Sequence, residues 1–150
     1  MARKGIAAVL AAAAVLVSSA GAGKSVVADP VRTPGVRNPA VTQTKIKKTI
    51  CVAGWTKTIR PKTSYTGPLE IKQMREYGLK GSPDDFEEDH LISLSLGGHP
   101  TSPKNLWPEP IARARKVDVI ERRLHTAVCT GKMRLRAAQK EIARVKHEAG

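Results

Sequence analysis

The sequence predicts an α+β fold: a hairpin-helix core with an N-terminal strand region, two C-terminal helices and one disulfide. Three observations predict it. A Gly97-Gly98 turn follows the strand-like run His90 to Leu96, two segments of helical periodicity follow Trp107-Pro108-Glu109-Pro110, and the 150 residues hold only two cysteines, Cys51 and Cys129. A chain of this length holds one ordinary domain.

Taken in order, residues 1–22 read as a signal peptide. Arg3 and Lys4 form a basic start, and Ile6 to Val17 is an apolar run. Small residues place cleavage anywhere from 20 to 28. The apolar run is too short for a retained anchor, because a helix needs roughly 20 residues to span a bilayer. Gly21-Ala22-Gly23-Lys24-Ser25 is no phosphate-binding loop, since Ser18 stands where the pattern requires glycine. The implied location is secreted, periplasmic or cell-envelope, and Cys51 and Cys129 are expected to pair there. Such a bond stabilises by about 4 kcal/mol in the chain-entropy account.

Residues 23–44, with Pro30, Pro34 and Pro39, read as a linker or as an extended arm laid on the domain. The folded unit is expected over 45–150. It begins with a strand-prone stretch through Ile46, Ile50, Val52, Trp55 and Ile59. A short helix is expected from Leu69 to Tyr77, then an acidic loop from Gly81 to Glu88. His90 to Leu96 reads as a strand, Gly97-Gly98 as its turn, and residues 99–106 as a loose return strand. Helices follow over Ile111 to about Val128 and Met133 to Glu148. The stripe of the first is Ala114, Val117, Ile120 or Glu121, Leu124 and Val128. That of the second is Leu135, Ala138, Ile142 and Val145, with Lys146 among the charges on its other faces.

The formal charge of +13 falls to about +11 when Arg3 and Lys4 leave with the signal, which favours a polyanionic partner. Against that background Asp89-His90 stands out as an acid beside an imidazole. In a regular strand neighbours point to opposite faces, so a twist or bulge is needed for both to line one site. Arg113, Arg115 and Lys116, at the start of the first long helix, are the best phosphate contacts, because guanidinium forks match phosphate oxygens. Glu121 and His125 form an i,i+4 pair. His99 reads as a turn residue, His147 as surface, and Trp55 and Trp107 as core.

Asp89-His90, Gly97-Gly98, Asn105-Leu106-Trp107-Pro108 and the helix after them together resemble the HNH endonucleases, the ββα-metal or His-metal finger superfamily. The likeness is greatest to small secreted bacterial proteins, and extends from about Thr33 to Ala143. It includes Cys51-Val52, Gly54-Trp55, Arg60-Pro61, Tyr77-Gly78, Cys129, Gly131 and Ala138-Gln139. The resemblance implies a metal-dependent endonuclease of low sequence specificity acting on DNA or RNA through its phosphates. His90 would be the general base, Asp89 a metal ligand and Asn105 the residue that ties the hairpin and orients the histidine. One divalent cation is implied, Mg²⁺ or Mn²⁺ foremost, with Zn²⁺ or Ca²⁺ also compatible.

The family's last ligand is a His or Asn on the following helix, and residues 109–124 contain neither. Asp118, or Glu121 three residues on, is expected to take its place. A lysine that more often precedes the helix acid is Val117 here. These departures leave a second reading, a secreted polyanion-binding module of the same fold without catalysis.

Overall fold

A computed structural model describes residues 26–149. The expected signal peptide lies outside them. The architecture is mixed α+β. Helix α1 (Trp55–Ile59) and helix α2 (Thr63–Glu76) precede strand β1 (Phe86–His90), and strand β2 (Leu106–Pro110) leads directly into helix α3 (Ile111–Cys129) and helix α4 (Leu135–His147). The strands pair antiparallel, from Phe86 opposite Pro110 to His90 opposite Leu106, without a bulge.

The N-terminal strand region expected around residues 46–59 is instead a 3-10 turn (Ile46–Lys48) followed by α1. Threonines there bond locally: Thr49 Oγ1 to the Lys45 carbonyl and Thr58 Oγ1 to that of Trp55. Gly54, at φ 80°, turns the chain. Such local bonds and a left-handed glycine offer the backbone partners other than a ladder. The Cys51–Cys129 disulfide, Cα–Cα 5.6 Å, ties this segment to the end of α3.

The hairpin is displaced from its expected position. Glu87 and Glu88 lie in β1 and not in a loop, while residues 91–96 form bends and a 3-10 turn (Leu94–Leu96). Alternation there misleads because both sides are buried. Leu91 packs with Ala28 and Trp107, whereas Ile92 and Leu96 enter the main core with Val117, Leu124 and Ile142. The return strand is likewise Leu106–Pro110, not 99–106. Pro108 and Pro110 are tolerated because a two-stranded sheet leaves each strand an edge. Helix α2 starts earlier than expected, at Thr63, with Pro68 inside its first half.

The arm lies on the domain. Asn38 N–H donates to the Gly97 carbonyl and Gly35 N–H to that of Lys104, Arg37 bridges Gly98, and Val41 enters the core. The stripes of α3 and α4 pack on one another much as their periodicity predicts, with Gln139 and Lys146 added to the buried face of α4. No helix among the described residues is long and apolar enough to cross a membrane, and the disulfide is compatible with an extracellular protein.

Candidate functional site

Asn105 organises the loop between the strands. It is wholly buried: Oδ1 accepts from Ile92 N–H at 3.0 Å and Val36 N–H at 3.2 Å, and Nδ2 donates to the carbonyls of His99 at 3.0 Å and Ile92 at 3.1 Å. One amide thus satisfies four backbone groups that no ladder serves. Gly98 is required beside it, because a Cβ there would fall on the Ile92 carbonyl.

The loop so held delivers Pro100 to His90, which is 3% exposed. Its Nε2 lies 2.9 Å from the Pro100 carbonyl oxygen. A carbonyl only accepts, so Nε2 carries the proton and the neutral ring keeps its lone pair on Nδ1. Burial pushes the imidazolium pKa below its ordinary value, against the opposing pull of Asp89.

His90 and Asp89 line one small polar cavity of about 150 Å³, together with Arg60, Glu87, Asp118 and Glu121. The pleat sends Glu87, Asp89 and Glu109 to one face of the hairpin. The expected bulge is unnecessary: His90 is the last paired residue, and the chain bends immediately after it.

Beneath the cavity sits Lys146, 1% exposed. Its ammonium donates to Asp89 Oδ2, to Glu121 Oε1 at 2.7 Å and to the His90 carbonyl at 2.8 Å, with Glu109 Oε2 at 3.7 Å. Burial alone would raise the Asp89 carboxyl; the Lys146 ammonium reverses this and holds it below the usual carboxylate range. Burial pushes Glu109 up to about 8, with Lys146 opposing and Asp89 adding. Glu87 is raised by burial and by Asp89 and Asp118. Glu121 is also raised by burial, with Lys146 opposing.

The remaining expected contacts separate. Arg115 and Lys116 are exposed and form no ion pair among the described residues. Arg113 is not a free phosphate contact. It pairs with Glu109 Oε1 at 2.7 Å, donates to the carbonyls of Val145 at 2.7 Å and Glu148 at 3.0 Å, and stacks over Trp107. Those carbonyls belong to the end of α4, whose last turn lacks intrahelical donors. Glu121 pairs with Lys146 rather than with His125, whose Nε2–H donates to the Ile50 carbonyl at 2.9 Å. His147 is no bare surface residue, since its Nε2–H reaches the Thr33 carbonyl at 2.9 Å. Trp107 is wholly buried, while Trp55 packs half-buried against the core.

Sequence reasoning missed Lys146 and Glu109. The signal for Lys146 was present, because residues 135, 138, 139, 142 and 146 continue one helical stripe. Glu109 lay between two prolines in a segment read as a helix approach, and no periodicity marked it.

Four carboxyl groups line the cavity, facing Arg60 within it and Lys146 below, an acid-rich site in a strongly basic chain. Among the described residues the one group of three metal-ligating side chains with donor atoms within 4.8 Å of one another is Cys51, His125 and Cys129, whose sulfurs are joined in the disulfide. Asp89, Asp118 and Glu121 do not converge that closely. They form no all-protein cage; a hydrated hard cation, which takes one or two carboxylates and keeps several waters, would ask the least of them.

Comparison of the chain with protein-family models, curated proteins and solved structures found no match.

Proposed function

We propose that this chain is an exported, metal-dependent endonuclease that hydrolyses nucleic-acid phosphodiesters with little sequence preference. One observation carries the reading: His90 is fixed through Nε2 on the Pro100 carbonyl, which leaves Nδ1 as the basic atom of a ring that lines the cavity with Asp89, Asp118, Glu121 and Arg60. Arg60, Asp89 and His90 belong to the HNH resemblance, Asp118 and Glu121 stand in for its missing helix ligand, and the apolar leader and disulfide support export.

In the reaction Nδ1 takes a proton from water, the water oxygen bonds to phosphorus, and the P–O3′ bond breaks with its electron pair on O3′, which takes a proton from solvent while the imidazolium returns its own. Arg60 lines the cavity where a phosphate would enter, and the exposed Arg115 and Lys116 lie on the helix that supplies Asp118. Asn105 positions the loop that holds His90. Asp89, with Asp118 or Glu121, would hold a divalent cation, Mg²⁺ or Mn²⁺ before Zn²⁺ or Ca²⁺, which when bound stabilises charge on the phosphate and the leaving oxygen.

The test is incubation of the disulfide-intact mature chain with plasmid DNA and with RNA, under a divalent-metal panel or EDTA. Cleavage is expected with Mg²⁺ or Mn²⁺ and is lost on the order of 10³-fold in folded His90→Ala. Equal inertness of both proteins on every substrate would sink the catalytic reading.

Two observations favour a second reading, a secreted polyanion-binding module: Lys146 already engages Asp89 and Glu121, and the candidate ligands do not converge. Salt-sensitive binding to polynucleotide without cleavage selects it.

A further inference from the structure

Lys146 comes from the last turn of α4, distant in sequence from every other residue at the cavity, yet its ammonium is spent entirely there. An ammonium has three protons. These serve Asp89 Oδ2, Glu121 Oε1 and the His90 carbonyl, while Glu109 Oε2 stands behind at 3.7 Å without a hydrogen bond of its own. Asp89 and Glu121 are two of the candidate ligands, so the side chains that would hold a divalent cation already hold a monovalent one.

We propose that Lys146 is a built-in competitor of the divalent cation: its ammonium and the metal draw on the same carboxylates, and the docking of α4 sets how weakly the metal binds. The inference rests on the metal-dependent reading above. Two physical effects combine. A fixed positive charge beside Asp89 repels an incoming dication, and each carboxylate bonded to Lys146 offers the metal one oxygen fewer. Lys146 is a positioning residue in this account. At 1% exposure it does not touch substrate, and it acts through Asp89 and the His90 backbone.

The experiment is a Mn²⁺ titration of the disulfide-intact mature chain, followed by the electron paramagnetic resonance signal of free Mn²⁺. Wild type, Lys146→Met, Lys146→Arg and Asp89→Asn are compared, with plasmid cleavage measured alongside. Lys146→Met is expected to bind Mn²⁺ at least about tenfold more tightly than wild type. Lys146→Arg keeps the charge and is expected to stay within about threefold, and Asp89→Asn is expected to bind Mn²⁺ more weakly than wild type. Unchanged or weaker Mn²⁺ affinity in folded Lys146→Met overturns the inference. If Lys146→Met folds only when Mn²⁺ is present, by circular dichroism, the metal has taken the ammonium's place and the inference stands; if saturating Mn²⁺ does not restore its fold, the inference fails. Metal-dependent cleavage by wild type with no affinity change in Lys146→Met sinks this inference alone. Tighter Mn²⁺ binding in that variant with no cleavage by any protein sinks only the catalytic reading.

Discussion

The two faces of the hairpin carry the same kind of residue under opposite electrostatic conditions. On the α3 side, Asp89, Glu109 and Glu121 surround the buried ammonium of Lys146. On the α2 side, Glu88 and Glu70 face each other with no salt bridge among the described residues. Both Glu88 oxygens and one of Glu70 are buried without a hydrogen bond. Burial pushes Glu88 up to about 8, with Glu70 and Asp89 adding to it, and burial likewise raises Glu70. Adjacent residues of one strand, Glu88 and Asp89, therefore sit on opposite sides of the usual carboxylate range. The difference teaches that burial raises a carboxyl group on either face, Glu109 and Glu121 included, and that at Asp89 the Lys146 ammonium outweighs it.

Removing the cation breaks the comparison most strongly. Lys146→Met in the absence of metal is expected to lose about 3–5 kcal/mol in urea denaturation at pH 7, because Asp89 and Glu121 are left buried without their partner. Asn105→Ala tests the frame both faces share. It strands the backbone groups of Val36, Ile92 and His99 and is expected to cost about 3 kcal/mol, with cleavage lost as His90 loses its Pro100 anchor. A loss below about 1 kcal/mol would show that the loop holds itself.

The pH profile sharpens the contrast. Asp89 has a lowered folded-state pKa, so its stabilisation is present above the unfolded value near 3.9 and is lost as pH falls through the folded one. Glu88 is raised to about 8, so its contribution is intact below the unfolded value and is lost as pH rises toward 8. Glu88→Gln is accordingly expected to gain on the order of 2 kcal/mol at pH 8 and little at pH 4.5. An equal effect at both pH values would show that Glu88 is not held neutral. Glu70→Gln should act in the same direction and by less, about 1 kcal/mol or under, since Glu70 is the more open to water.

Much of the frame was legible from residue order. The stripes Ala114–Val117–Leu124–Val128 and Leu135–Ala138–Ile142 mark α3 and α4 because a helix packed on one side leaves a 3.6-residue record. The hairpin was legible as a motif but not in register. Residues 91–96 are buried on both sides, and the prolines of β2 conceal a strand from propensity. Within the site, Asp89 and His90 were visible as an adjacent pair. That Arg113 is already bonded to the end of another helix was not legible, because nothing local distinguishes such a residue from a phosphate contact.

By itself the sequence determined the α+β class, the two long helices, the cysteine pair and the placing of Asp89, His90 and Asn105 around one glycine turn. These are properties of composition, short-range periodicity and neighbouring residues. Only the tertiary structure decided that Lys146 enters the acid cluster, that Glu109 is buried beneath it, and which nitrogen of His90 keeps its lone pair. Each depends on contacts between segments far apart in the chain, 57 residues in the case of Lys146 and Asp89. The helical stripe marks position 146 as facing inward, but not which charges meet the ammonium there.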